Sequence, residues 1–367
     1  MGALTRLLWS FWVKNLFASA LPFSAIQFRV SGPLPCGGRI APSTMPATRL
    51  LADIGGTNIR LAWQAPGDDT LHDTRVLQCA QYPTVDAAIR TYLAEVGIAA
   101  PQEAAFGIAN PVTGDAIRMT NHSWSFSQKA VREAFGFARL VVINDFTALA
   151  LALPLLTPDL LRQVGGGQAV PGEAIGLVGA GTGLGVSGLV FPPHSPAGVP
   201  LSGEGGHVTL AADTQHEFDV LRVLHERYGH VSAERAVSGA GLVDLYHAVR
   251  TVAHAGGTEV SSAAQVTEMA LQAKDPLALQ ALDLFCGFLG SVAGNLALTL
   301  GARGGVYIGG GMVPRLGEWF DQSSFRQRFE AKGRFAPYLA SIPCWIIDPS
   351  ATPALYGASR ALDIAGG

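Results

Sequence analysis

The sequence predicts an α/β protein of two domains built on mixed sheets, with a cleft between a small and a large domain. Three observations carry this expectation. The chain has 367 residues, more than a single hydrophobic core usually supports. Strand-like apolar runs alternate with runs of helical period in both halves. A strand, glycine turn, strand unit occurs twice, at Leu50–Trp63 and again at Ile175–Val190, each turning backbone toward a shared crevice.

The elements follow in order. Residues 1–48 contain no Asp or Glu. Their apolar run from Leu7 to Phe23 is broken by Lys14 and Asn15, which leaves it too short to span a membrane. Arg6 and Ala18-Ser19-Ala20 imitate parts of a signal peptide, but the same lysine cuts the apolar stretch. An organelle transit peptide and a start assigned upstream of Met45 both suit this composition. The second is favoured, so residues 1–48 are expected to be a non-structural extension, with structure beginning near Arg49.

Leu50-Leu51-Ala52, the tip Gly55-Gly56 and Ile59–Trp63 read as strand, tight turn, strand. Val85–Val96 has helical spacing, and Arg139–Ile143 is an apolar β-branched run that ends at Asn144-Asp145. Asp145 is thereby placed at the C-terminal edge of a strand. Proline and threonine punctuate residues 154–158. This puts the domain junction there, with 49–155 plus 348–367 as the small domain and 156–347 as the large one. The second hairpin is Ile175–Val178, the loop Gly179–Gly185 and Val186–Val190. Asp219–Tyr228 and Ala240–Val249 are amphipathic helices, and Gly305–Ile308 is a strand leading into Gly309-Gly310-Gly311. Leu284–Ala302 lacks charge, yet Gly287, Gly290, Gly294 and Asn295 interrupt it while Phe285, Leu289, Val292 and Leu296 keep helical spacing. A helix buried between layers fits better than a membrane span.

Composition removes several classes of function. Hydrophobic residues make up 49%, charged residues 14%, and the net charge is −3, so no basic face is available for nucleic acid. Cys36, Cys79, Cys286 and Cys344 form no Cys-x-x-Cys pair. They are expected to be reduced thiols of a cytoplasmic protein without structural zinc, Cys286 being a small core residue.

The chemistry concentrates in three glycine-rich turns and a scatter of polar residues. Ala52-Asp53-Ile54-Gly55-Gly56-Thr57-Asn58 ends a strand with an acid and two residues lacking Cβ. A phosphate can approach such a main chain closely, and Asp53 can hold Mg²⁺ directly or through water. An ordinary hairpin with a solvated acid explains this segment as well. Gly179, Gly181, Thr182, Gly183 and Gly185 form a second turn with more glycine than a turn needs. Two such turns facing each other would grip a triphosphate from both sides. Neither matches the Gly-x-x-x-x-Gly-Lys-Ser/Thr pattern. Gly183–Gly188 satisfies the dinucleotide fingerprint in letters, but a strand follows it where that motif demands a helix. Asn144, Asp145, Glu204, His207 and Glu234 supply the mixed donors and acceptors that sugar hydroxyls require. Each also has a plain structural reading as a helix cap, a loop acid or a first-turn acid.

Together these segments, with Asn110–Gly114, Thr120–Trp124, Gly203–Val208 and Gly229–Arg235, resemble the bacterial glucokinase family over residues 50–360. The resemblance implies the actin-like ATPase (ribonuclease H-like) fold and ATP-dependent phosphorylation of glucose, the first step of glycolysis. It implies Asp145 as catalytic base and Asn144, Glu204, His207 and Glu234 as sugar contacts. Residues 52–58 and 179–185 would be phosphate loops, Gly309, Gly310 and Gly311 a turn against the nucleoside, and Asp53 the Mg²⁺ site. A soluble homodimer away from membranes is implied as well. The related repressor and kinase family places a zinc-binding histidine after Glu-x-Gly beside a cysteine cluster. This chain has no such cluster, so His207 is assigned to the sugar. A kinase of another hexose, a nicotinamide-dependent oxidoreductase and a non-catalytic sugar sensor stand as alternatives.

Overall fold

The computed structural model describes residues 47–366, apart from 99–100, 120–121, 194, 196 and 257. Most of the expected extension, Cys36 and the Thr120-Asn121 pair therefore lie outside the described residues.

The first sheet takes β1 (Arg49–Ile54), β2 (Asn58–Gln64), β3 (His72–Gln78), β4 (Glu103–Ile108) and, after the small β5 (Ala116–Arg118) and β6 (Ser125–Ser127) ribbon, β7 (Arg139–Asn144). Its order is β3-β2-β1-β4-β7. The hairpin arms are antiparallel, and β1, β4 and β7 are parallel. Helices α1 (Val85–Val96) and α2 (Gln128–Phe135) intervene. Both begin on a hydroxyl cap, Thr84 or Ser127, and end at a left-handed glycine, Gly97 or Gly136.

Helix α3 (Asp145–Ala152) follows β7 without a loop. Two short turns, Leu153–Leu155 and Pro158–Leu160, then carry the chain into β8 (Leu161–Val164), an edge of the second sheet. That sheet continues with β9 (Ile175–Ala180), β10 (Leu184–Val190), β11 (Val199–Ser202), β12 (Val306–Gly309) and β13 (Cys344–Ile347), in the order β11-β10-β9-β12-β13-β8. Its hairpins are antiparallel and β9, β12 and β13 are parallel. Five of its strands thus repeat the first sheet's plan, as the duplicated hairpin in the sequence suggested.

Helices α4 (Gln215–Tyr228), α5 (Ala233–Ala236), α6 (Gly239–Val252), α7 (Ala263–Leu271) and α8 (Pro276–Leu300) fill the long connection from β11 to β12. Short helices α9 (Phe325–Glu330) and α10 (Ala336–Ala340) follow β12. The uncharged stretch is the body of α8, where Phe285, Cys286, Phe288 and Leu289 have no exposed surface. Gly290 and Gly294 face the Phe325 and Phe329 carbonyls, so the lack of Cβ lets α9 lie directly on α8. A core position rather than a bilayer explains the apolar run. Cys79 and Cys344 are buried too, and burial pushes the Cys344 thiol up to about 12.

The last helix, α11 (Pro353–Gly366), returns to the first sheet. Ser359 Oγ donates to Gln64 Oε1 at 2.6 Å and accepts from Arg49 at 3.1 Å. Gly357 abuts the Ala148 backbone, bringing α11 against α3. Helix α3 also packs on β4 and β7 of the first sheet and on β10 and β11 of the second. It is the element on which both sheets converge.

Candidate functional site

The site is built around the junction of β7 and α3. Asn144 is the helix cap, with extended backbone (φ −62°, ψ 147°). Its Oδ1 accepts from Phe146 N at 2.9 Å and Thr147 N at 3.2 Å, and its Nδ2 donates to the Asn110 carbonyl at 3.5 Å. The capping reading of Asn144 is therefore correct for its oxygen, and any sugar contact would fall to its amide nitrogen. Asp145 occupies the first helical position, and its Oδ1 accepts from Phe146 N at 2.9 Å.

Glycines bring this junction close to both sheets. A Cβ on Gly107 of β4 would lie 3.7 Å from the Asp145 Cα. On the other side, a Cβ on Gly179 would lie 2.8 Å from the Phe146 ring, and one on Gly185 would overlap that ring. Phe146 is thus wedged against β9 and β10, and Asp145 is fixed between the two hairpins. Burial pushes the Asp145 carboxyl up to about 6, helped by the negative charges of Asp53 and, more weakly, Glu204. Hydrogen bonding from Phe146 pulls the other way.

On the first hairpin, Asp53 pairs in register with Arg60. Its Oδ2 accepts from the Arg60 guanidinium at 2.9 Å. Burial raises the Asp53 carboxyl above its usual range, against the opposing pull of Arg60. Its Oδ1 takes no hydrogen bond among the described residues, leaving one carboxylate oxygen open beside a second buried acid. That donor set fits Mg²⁺ or its water, because a cation would relieve the repulsion between Asp53 and Asp145. Ala52 and Ile54 are buried strand residues, Gly55 N–H donates to the Asn58 carbonyl at 2.9 Å, and Thr57 and Asn58 are exposed at the tip near Gly56.

The second hairpin is tighter than the sequence suggests. β9 runs through Gly179 to Ala180, and β10 starts at Leu184, with Gly185 paired to Gly179. Only residues 181–183 form the turn. Gly179 and Gly185 are strand positions whose missing side chains admit Phe146, which accounts for much of the glycine excess. Gly181, Thr182 and Gly183 are left to present the tip. The third run joins here, since β12 includes Gly309, and Gly310 (φ 79°) packs against Ala180. Gly309, Gly310 and Gly311 share with Asp53, Arg60 and Asp348 a cavity of about 240 Å³.

Glu204 and His207 are exposed on a short turn whose Gly205 and Gly206 pack against Val186 and the Leu184 carbonyl. That turn is laced to the start of α5 by Leu210 N to the Val231 carbonyl at 3.0 Å and Ala233 N to the Val208 carbonyl at 2.8 Å. Glu234 is consequently adjacent to the second hairpin, where its Oε2 accepts from Leu184 N at 2.9 Å and abuts Gly183. Asp53, Asp145, Glu204 and Glu234, far apart in the chain, are gathered along the two hairpins.

The glucokinase family model matches residues 50–364. The chain belongs to the glucokinase family. The glucokinase of Aromatoleum aromaticum is 54% identical over 317 residues, covering 86% of this chain and 94% of that protein. A glucokinase structure from an Antarctic psychrotroph superposes with TM-score 0.78 at 35% identity, covering 86% of this chain and 98% of the other. A ROK-family glucokinase from Streptomyces griseus, solved with glucose and AMPPNP, has TM-score 0.56 at 18% identity and covers 86% and 98%. That last likeness is one of fold, and it agrees with the actin-like ATPase fold.

The residue-level reading of this glucokinase-family chain missed two partners, Arg60 and Phe146. Arg60 was legible in principle. A two-residue turn at Gly56-Thr57 makes Asp53 and Arg60 opposite numbers across the hairpin, whereas the Gly55-Gly56 tip expected from sequence would have set Asn58 there. Phe146 carried no such signal, because its role depends on glycines more than thirty residues away.

Proposed function

We propose that the chain phosphorylates D-glucose at the 6-hydroxyl from ATP, giving glucose 6-phosphate and ADP, with Asp145 as the general base. The observation that carries this is the placement of Asp145, a partly buried carboxylate held between two glycine hairpins with its pKa raised to about 6. A base poised near the working pH is well matched to take a proton from an alcohol as it becomes a nucleophile. The 6-oxygen forms its bond to the γ-phosphorus as the bond from that phosphorus to the β-bridging oxygen breaks. The hydroxyl proton passes to Asp145.

Asn144, Glu204, His207 and Glu234 would hold the sugar hydroxyls. The N–H groups of Gly56 and Thr57 and of Thr182 and Gly183, which the hairpin bonds of Gly55 and Gly181 leave over, would face the phosphates from opposite sides, and Gly309–Gly311 would meet the nucleoside. ATP as donor agrees with the AMPPNP in the Streptomyces griseus relative. Mg²⁺, held through Asp53, would neutralise charge on the phosphates. Residues 49–155 with 348–367, and 156–347, would act as lobes that close on the substrates. A cytoplasmic homodimer is the assembly we expect.

A coupled assay of ADP release tests this reading with glucose, mannose, fructose and N-acetylglucosamine in parallel. Glucose should give the highest kcat/KM and be silent in the Asp145→Ala protein. Preference for another of these sugars would reassign the substrate, and turnover that survives Asp145→Ala would remove the base from its place.

A further inference from the structure

A cavity of about 350 Å³ lies apart from the residues assigned to the reaction. It is bounded by α8, by α9 with the residues just after it, and by residues 208–213. Val186, Leu210, Val292 and Leu296 give it an apolar wall, with Asn295 and Thr299 at an exposed rim. Neither Asp53, Asp145, Glu204, His207 nor Glu234 lines it. Its volume is at the small end of metabolite sites.

Three charged side chains line the cavity: Asp213, Arg328 and Lys332. Arg328 is spoken for, since its guanidinium pairs with Asp213 and with Glu217, the latter at 3.2 Å. Glu217 is buried, and its Oε2 also accepts from Asp213 N at 2.6 Å and Thr214 N at 3.3 Å. Lys332 differs. The only hydrogen bond of its ammonium among the described residues goes to the Ser291 carbonyl at 3.3 Å, and no carboxylate there lies within ion-pair distance. Burial and the nearby Arg328 charge hold its ammonium below the usual lysine range, with Asp213 opposing. A half-buried ammonium satisfied by one carbonyl is a costly arrangement that a bound carboxylate would relieve.

The cavity wall is also the back of the segment that carries the sugar residues. Gly205 and residues 208–213 line it, while Glu204 and His207 belong to the same turn. Thr209 bridges to Ser232, and its Oγ1 lies 3.0 Å from His230 Nε2, just before Glu234. A ligand seated behind this wall would press on the backbone that sets Glu204, His207 and Glu234.

We propose that this cavity is a regulatory site for a small organic carboxylate with an apolar body, whose anion pairs with Lys332 and whose occupancy changes the affinity for sugar. The carboxylate takes the unpaired ammonium, Asn295 is placed to donate from the rim, and the apolar body lies on Leu210, Val292 and Leu296. A dianion is disfavoured because Asp213 faces the same space. The binding claim stands by itself, and the coupling claim rests on the sugar reading given above.

Titration calorimetry of the full chain with sodium benzoate tests both claims, with benzamide as the uncharged shape control. Benzoate should bind, and benzamide about tenfold more weakly or worse, as loss of a charge-assisted hydrogen bond implies. Lys332→Met should weaken benzoate about tenfold or more. Asn295→Trp, at an exposed position and so safe for folding, should block it by filling the cavity. With benzoate saturating, the glucose dissociation constant should move about fivefold or more, and glucose should move benzoate affinity by the same factor. No binding to the wild type, or variants that bind benzoate as tightly as the wild type does, overturns the site. Glucose affinity indifferent to bound benzoate overturns its regulatory role. A protein that bound no glucose would refute the sugar reading instead, and the benzoate results with Lys332→Met would still decide the cavity.

Discussion

Asp145 stands at a helix N-terminus, where a negative charge is ordinarily favoured, and yet its carboxyl is pushed up to about 6. Burial and the charge of Asp53 outweigh the dipole and the Phe146 N–H. The consequence for catalysis is an acid limb: kcat/KM should fall below about pH 6 as the base is protonated, and a pH profile flat down to pH 5 would contradict the assignment. The consequence for stability has the opposite sense. A carboxyl whose folded value is raised above 3.8 contributes stability that is present below about pH 4 and lost as pH rises through about 6. Asp145→Asn should therefore unfold at higher denaturant than wild type at pH 8, with the difference vanishing near pH 4, while turnover drops roughly 10²- to 10⁴-fold. Stability gained where activity is lost is the expected mark of a working acid rather than of a helix cap.

Among the elements, the second hairpin shows why two glycine motifs that look alike are not equivalent. Gly179 and Gly185 are spent on packing, so a methyl at Gly179, 2.6 Å from the Gly309 carbonyl carbon, should cost about 1–3 kcal/mol as overpacking does. Urea unfolding of Gly179→Ala measures this, and an unchanged midpoint would mean that Gly179 is not packed against Gly309 of β12 and the Phe146 ring of α3. Glu234 links this hairpin to the sugar turn through Leu184 N–H. Glu234→Gln keeps an oxygen acceptor for that N–H, whereas Glu234→Ala does not. Calorimetry should show both variants losing glucose affinity and only Glu234→Ala losing AMPPNP affinity as well. Glu204→Gln, whose carboxylate touches no hairpin N–H, should lose glucose alone. If all three left AMPPNP binding intact, the link between the two sites would be absent.

At the scale of the whole molecule, the two sheets repeat one strand plan and meet on α3, with Asp145 at its first position. The residues to which we assign sugar and phosphate come from both sheets, so on that assignment glucose would be gripped fully only when the proposed lobes approach. Small-angle scattering should record a smaller radius of gyration with glucose, and a smaller one again with AMPPNP added. An identical radius in all three states would argue for a preformed cleft.

Much of this was legible in the chain. Local pattern sufficed for β1 and β2, for α1, for β7 running into Asn144-Asp145, and for α8 as a core helix, because each is specified by neighbours in sequence. Family motifs pointed to the acids and glycine turns that we assign to the site. Tertiary structure alone decided that Gly179 and Gly185 make room for Phe146, that Glu234 is held by Leu184, that Asp53 faces Arg60 beside Gly309–Gly311, and that Lys332 lacks an ionic partner. Periodicity and turn chemistry act over a few residues, so the sequence determined the elements and the kinds of group they carry. Burial, close approach and the sum of distant charges arise only when remote segments meet, and these set the distances and the pKa on which the chemistry depends.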